Sequence, residues 1–271
     1  MGRRRVIFRK SDTRLPRWLD DLIFRELGAS WDPSPDDAEH NLYSREPMVK
    51  EYLGTYFPRS YGEAFCIADN LFQNEIFRSA LGNEISILDI GCGTGGEILG
   101  LLCVIDKYLP SDVAISVYAC DGNSTALRYM AKAVGTFAVR SGRAVSVSKT
   151  CHKARSGTGL SCMAKRVRNE RFDFILCCKM CGELLSSGVS DSPYFSVAEK
   201  FSGLLKPDGV MLILDLANRP QGCYEYLQVG MNSELNEFVL SHEEFATLLP
   251  KPCAAFPECL CSCYIHNLPG S

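Results

Sequence analysis

No apolar run in this 271-residue chain approaches the ~20 residues that cross a bilayer. The longest, around residues 98–105, is far too short and reads as part of a helix, so a membrane-spanning role is excluded. The opening Met1-Gly2-Arg3-Arg4-Arg5 lacks the apolar core of a secretory signal. Val6 stands where a myristoylation signal requires Ser or Thr. Large net charge is also lacking: −3 at pH 7 excludes a molecule that binds nucleic acid through its overall field. Internal repeats and low-complexity segments are absent. The C-terminal cysteines Cys253, Cys259, Cys261 and Cys263 contain no C-x-x-C knuckle, their spacing being C-x5-C-x-C-x-C. With His266 they offer soft ligands, but 259, 261 and 263 alternate along one face of an expected strand, and buried thiols without a metal are the reading. Fourteen cysteines, several in apolar runs such as Cys177-Cys178, then read as reduced thiols of an intracellular, cytoplasmic protein.

What is present is 46% hydrophobic and 23% charged residues, enough for a sizeable globular core. The most informative stretch is Ile87-Leu88-Asp89-Ile90-Gly91-Cys92-Gly93-Thr94-Gly95-Gly96-Glu97. An apolar strand (Ile85, Ile87, Leu88, Ile90) runs into a glycine-dense turn, and an apolar helix follows Glu97. Such a turn lets a ligand approach the backbone, with N–H groups at the helix start aimed at it. Gly91, Gly93 and Gly96 also satisfy G-x-G-x-x-G, so the glycines alone admit a dinucleotide. Asp89 discriminates. A carboxylate two residues before the first glycine suits a ligand carrying positive charge, not a pyrophosphate. Asp121, ending the next strand, is placed to accept hydrogen bonds from both hydroxyls of a ribose.

These residues resemble motif I and the following acid of the class I S-adenosylmethionine-dependent methyltransferases. The resemblance implies S-adenosylmethionine as cofactor, held by Asp89, Gly91, Cys92, Gly93, Thr94, Gly95, Glu97, Asp121, Gly122 and Cys178. It implies a Rossmann-like α/β fold over residues 83–271. That fold has a seven-stranded, mainly parallel sheet with an antiparallel last strand and helices on both faces. Residues 1–82 read as an N-terminal helical cap, with helices expected at 14–27, 47–53 and 61–81 and a Pro-rich loop at 31–37. Strands are expected at 85–90, 113–120, 144–147, 172–177 and 210–215, then two closing strands at 254–256 and 259–266. The intervening helices are expected at 97–108, 124–139, 194–205 and 241–249.

The acceptor side is less legible. After the third strand, Ser146-Val147-Ser148-Lys149-Thr150-Cys151 carries no carboxylate, so no adenine contact is assigned. After the fourth, Cys178-Lys179-Met180-Cys181-Gly182-Glu183 carries neither an Asn-Pro-Pro-Tyr signature nor a Pro-Cys nucleophile. Glu183 could serve as a base, but a helix-face carboxylate is the commoner role, and the catalytic residue is unknown. Arg140, Arg143, Lys149, Lys153, Arg155, Lys165, Arg166, Arg168 and Arg171 face a single acid, Glu170. They could hold RNA phosphates, though without interleaved aromatics, and a solvated loop is the plainer reading. Arg3, Arg4, Arg5, Arg9 and Lys10 add further basic charge. Tyr52, Tyr56, Phe57, Arg59 and Tyr61 either shape a lid or pack the cap onto the sheet. The expectation is methyl transfer to a small molecule, peptide or RNA. The alternatives are a cofactor-binding scaffold and an NAD-dependent oxidoreductase.

Overall fold

Alternation along each central strand sends successive side chains to opposite faces, and both faces are covered by helices. The computed structural model describes residues 14–31, 45–154, 158–216, 224–242, 246–247, 251–252 and 261–267. Five parallel strands carry the sheet: β1 (Glu84–Ile90), β2 (Ala114–Asp121), β3 (Val145–Cys151), β4 (Phe172–Cys178) and β5 (Leu205–Leu216). β6 (Ala246–Thr247), β7 (Lys251–Pro252) and β8 (Cys261–Asn267) complete it. The order is β3-β2-β1-β4-β5-β8-β6, with β7 also on β8, and β8 runs antiparallel to β5. The sheet therefore holds eight strands where seven were expected, because the exposed edge of β8 takes up both two-residue pieces.

Ile85 and Ile87 of β1, Ile115 and Val117 of β2 and Phe174 of β4 join one buried cluster. Leu88, Ile90, Cys120, Ile175 and Cys177 join the other. The near-continuous burial of β1 and β4 is what a parallel sheet covered on both faces requires. The first face is covered by α1 (Arg17–Asp20, continuing as a wide π turn Asp21–Glu26), α2 (Glu46–Phe72), α4 (Gly96–Tyr108) and α5 (Ser124–Ser141). A short α3 (Glu75–Ala80) leads from α2 toward β1. The second face is covered by α6 (Thr158–Arg166), α7 (Met180–Ser186), α8 (Pro193–Phe201) and α9 (Tyr224–Ser241).

Several expected elements differ. The helices expected at 47–53 and 61–81 are one helix, α2, running through Pro58 and followed by α3. An interior proline costs about 3 kcal/mol, but α2 buries Val49, Leu53, Phe57, Tyr61 and Phe72, and tertiary burial outweighs that local preference. The helix expected at 241–249 is absent at 246–247, which pair with β8, while an unforeseen α9 ends at Ser241. β3 continues past 147 because its register with β2 runs through to Asp121 opposite Cys151. β5 begins at Leu205, ahead of the strand expected from 210, and within it Asp208 takes a positive φ of 63°. The Pro-rich loop beyond Trp31 and the strand expected at 254–256 lie outside the described residues, as do Arg3, Arg4, Arg5, Arg9, Lys10, Arg155, Cys253 and Cys259.

The basic stretch is not a loop. It contains β3 and α6, and its members serve different ends. Arg143 is buried, its Nε donating to Asp106 Oδ1 at 2.7 Å and its Nη atoms donating to the carbonyls of Pro110 at 2.5 Å and Leu109 at 2.7 Å. It thus satisfies carbonyls left open where α4 ends. Arg140 lies over an indole, its guanidinium 5.4 Å from the ring centre of Trp18. Replacing Arg143 by Met removes every one of these donors and leaves the carbonyls unsatisfied. The expected loss is about 3 kcal/mol of unfolding free energy by urea titration; a loss under ~0.5 kcal/mol would sink this account.

Candidate functional site: a cofactor cradle at the strand ends

The C-terminal ends of β1, β2 and β4 converge on the glycine turn that follows β1. Gly91 and Cys92 both donate N–H bonds to the Cys120 carbonyl at 2.8 and 3.1 Å, so the turn folds back over the end of β2. Gly91 and Gly95 have φ of 77° and 85°, a region costly for residues with a Cβ. A Cβ would lie 2.7 Å from Met180 Sδ at Gly91 and 2.4 Å from Met130 Cγ at Gly95. Glycine is required at both positions because Met180 and Met130 already fill the space that a Cβ would take.

Asp89 sits beneath the turn, fully buried, and neither carboxylate oxygen has a hydrogen-bond partner among the described residues. Burial, followed by the nearby Glu97, Cys177 and Asp121, pushes its carboxyl well above the usual range. An unpartnered buried carboxyl normally costs several kcal/mol, so it marks a place where a donor is missing. Asp121 is placed differently. Its Oδ2 accepts from Gly93 N–H at 2.8 Å and its Oδ1 from Asn123 N–H at 2.7 Å, tying the turn to the start of α5. Asn123 in turn caps α5, accepting from Thr125 N–H at 2.9 Å and Ala126 N–H at 3.2 Å. A carboxylate has about four acceptor sites, so Asp121 keeps capacity for a ligand's hydroxyls.

Glu97 lies in the first turn of α4, 6% exposed. Burial raises its carboxyl to about 7, although Lys179 pulls the other way. Cys92, Thr94 and Cys178 are also buried here, and burial followed by Glu97 and Asp89 raises the Cys178 thiol well above its ordinary value. Gly122 is buried at the end of β2, and its carbonyl lies 3.7 Å from Cys151 Sγ. The structure thus brings together every residue the sequence assigned to the cofactor.

Two residues that sequence reasoning left out complete the site. Lys179 follows β4 directly and holds a positive φ of 65°, its N–H donating to the Leu214 carbonyl at 2.6 Å. Its ammonium donates to Ser60 Oγ at 3.0 Å and to the carboxylate of Glu63, both on α2. Arg59 Nε donates to the other oxygen of Glu63 at 2.9 Å. Burial alone would raise Glu63, but Lys179 and Arg59 outweigh it and hold its carboxyl below the ordinary value. Burial likewise works against the Lys179 charge, and Glu63 and Glu97 more than restore it. The position of Lys179 after a strand and the i,i+4 spacing of Arg59 and Glu63 were readable signals; their convergence was not.

The aromatic segment divides. Phe57 and Tyr61 are core residues, whereas Tyr52 lies over the turn, its ring 3.5 Å from where a Cβ of Gly93 would stand. The rings of Tyr52 and Tyr56 lie 4.9 Å apart. Burial, then the charges of Glu183, Glu97 and Asp121, raise the Tyr52 phenol. Behind the site, Asp215 accepts from Gly182 N–H at 2.6 Å and Tyr194 Oη at 3.1 Å, fastening α7 and α8 to the end of β5. Among the described residues no group of three or more His, Cys, Asp or Glu is arranged for a metal. No described helix is long and apolar enough to cross a membrane.

No family model matches the sequence, and no curated protein matches it. Solved structures do. An O-methyltransferase family protein from Burkholderia thailandensis aligns over 94% of this chain and 70% of its own, with a TM-score of 0.55 and 14% identity. An O-methyltransferase from Bacillus cereus, solved with S-adenosylhomocysteine, aligns over 76% of this chain and 80% of its own, with a TM-score of 0.47 and 13% identity. The first likeness shows that this chain shares the fold of that protein, an open, mainly parallel sheet with helices on both faces.

The raised carboxyl of Glu97 sets a pH dependence. Titrating near 7 when folded and near 4.5 as an ordinary side chain, it binds more protons in the folded state between those values. Stability contributed by this group therefore falls as pH rises through that window. Glu97→Gln is expected to gain on wild type between pH 5 and 8, by up to about 3 kcal/mol. Urea titrations at the two pH values measure the gain, and an unchanged difference contradicts it.

Proposed function

We propose that this protein transfers a methyl group from S-adenosylmethionine to a small-molecule acceptor. The observation that carries the reading is Asp89, a buried carboxyl with no donor on either oxygen among the described residues, beneath the glycine turn that follows β1. The four acids Asp89, Glu97, Asp121 and Glu63 outnumber the two cations Lys179 and Arg59 in and beside the cradle. A ligand with an amino group and a sulfonium relieves that imbalance, whereas the pyrophosphate of a dinucleotide would worsen it. This argues against the NAD-dependent reading.

When bound, S-adenosylmethionine supplies the electrophilic methyl group. The chain's own residues bind and orient. The Gly91–Gly95 backbone permits close approach, Asp121 offers its remaining acceptor sites to ribose hydroxyls, and Asp89 receives a donor. Tyr52, packed over Gly93, screens the turn from water. Methyl transfer is an in-line displacement that depends mainly on alignment, and a base is needed only for a protonated acceptor. No base is assigned.

Further parts of the reading are proposals of the same kind. Residues 1–82 form a helical cap and 83–271 the methyltransferase domain. Strands β1–β5, β8 and β6 are its seven Rossmann-like strands, with β7 an added patch. Nine free thiols from Cys66 to Cys181 support a reducing, cytoplasmic setting. An RNA acceptor is the weaker reading, since Arg143 is consumed in a buried ion pair and Arg140 on an indole.

Calorimetry with S-adenosylhomocysteine tests the central claim. Wild type is expected to bind, and Asp121→Ala to bind at least tenfold more weakly, a loss of about 1.4 kcal/mol or more. Absence of wild-type binding at high micromolar ligand overturns the reading, and an unaffected Asp121→Ala overturns the ribose assignment. Labelled-methyl transfer into cell extract divided into small molecules, protein and RNA then identifies the acceptor. Label in RNA alone would reverse the order of the two acceptor readings.

A further inference from the structure

A second concavity lies on the far side of α2 from the core. It is an open groove of about 780 Å³ between α1, the wide turn that continues it, and α2. Its walls carry three guanidiniums, Arg14, Arg17 and Arg59, against one carboxylate, Asp20, and two aromatic rings, Phe24 and Trp31. Arg17 is committed only loosely, to Asp21 at 3.9 Å, and Arg14 has no ion-pair partner among the described residues. Trp31 is 66% exposed, an unusual state for an indole, which normally buries its rings.

Cationic forks beside exposed and half-buried aromatic rings suit one kind of ligand: a planar ring bearing an anionic group. The ring stacks on Trp31 or Phe24, and the anion takes paired N–H donors from arginine. The volume falls within the range of ordinary small-molecule sites.

Arg59 gives this cavity a connection. It lines the wall, and its Nε donates to Glu63 Oε1 at 2.9 Å. The other oxygen of Glu63 holds Lys179 at the end of β4. A single buried carboxylate is therefore shared between a cavity cation and the cation of the cofactor cradle. An anion that draws Arg59 toward itself leaves Glu63 more fully to Lys179, and so alters the charge facing Glu97.

We infer that the cavity between α1 and α2 is a binding site for an anionic aromatic small molecule, separate from the cofactor cradle and linked to it through Arg59, Glu63 and Lys179. Occupancy of the cavity does not depend on the methyltransferase reading; the link to the cradle does. By reciprocity, whatever the occupant does to cofactor affinity, the cofactor does to the occupant.

The chain has two tryptophans, so Trp18→Phe leaves Trp31 as the only indole reporter. This protein is titrated with 4-nitrobenzoate, 4-nitrophenyl phosphate and neutral 4-nitrobenzyl alcohol. Saturable quenching by at least one anion is expected, with half-saturation below about 1 mM, while the alcohol quenches only linearly. The stronger anion tells carboxylate from phosphate recognition. Arg14→Ala with Arg17→Ala, both exposed positions, is expected to weaken saturation at least fivefold. Linear quenching by all three compounds, or saturation unchanged in the double variant, overturns the site. In wild type, a saturating anion is expected to change S-adenosylhomocysteine affinity at least threefold, and an unchanged affinity overturns the link. Saturable quenching in a protein that binds no S-adenosylhomocysteine would leave the cavity standing and remove the methyltransferase reading instead.

Discussion

Glu63 accepts from two cations at once, and the site depends on that shared carboxylate. It sits fully buried on α2, with Lys179 from the end of β4 on one side and Arg59 on the other. Removing either partner would leave charge in a place where water cannot reach it, which generally costs several kcal/mol. The pair does more than hold a helix down. It brings a cation to C-terminal strand ends that otherwise present carboxyls, and it fixes α2 so that Tyr52 lies over the glycine turn.

Around that tie the acids play unequal parts. Asp121 is satisfied by the backbone of Gly93 and Asn123, and so belongs to the architecture as well as to any ligand. Asp89 has no such support. Glu97 lies between, buried like Asp89 but facing Lys179. Three carboxyls within one fold of chain thus have three environments, and it is the unsupported one that points most directly to a cationic ligand.

Lys179 also illustrates where backbone strain is tolerated. A lysine at φ 65° is disfavoured, yet the 2.6 Å bond from its N–H to Leu214 and the grip of Glu63 and Ser60 determine it from both ends. The strain turns the chain sharply from β4 into α7 and aims the ammonium at α2 instead of along the sheet.

The strand, the glycine turn and the acids at 89 and 121 were legible because their chemistry is local. Period-two apolar runs, positive φ and an acid at a strand end are all written within a dozen residues. The mainly parallel sheet with helices on both faces was what the family resemblance of those residues implied. Other features were decided only by packing. Pro58 should end a helix, but burial of Phe57 and Tyr61 where α2 packs closely on α4 carries α2 through it. Arg143 looks like one more member of a basic run until the end of α4 surrounds it. Glu63 and Lys179 lie 116 residues apart and carry no shared signature. Local propensity cannot express a contact between distant segments, so the sequence determined the cradle, and the tertiary structure alone decided which charges face it.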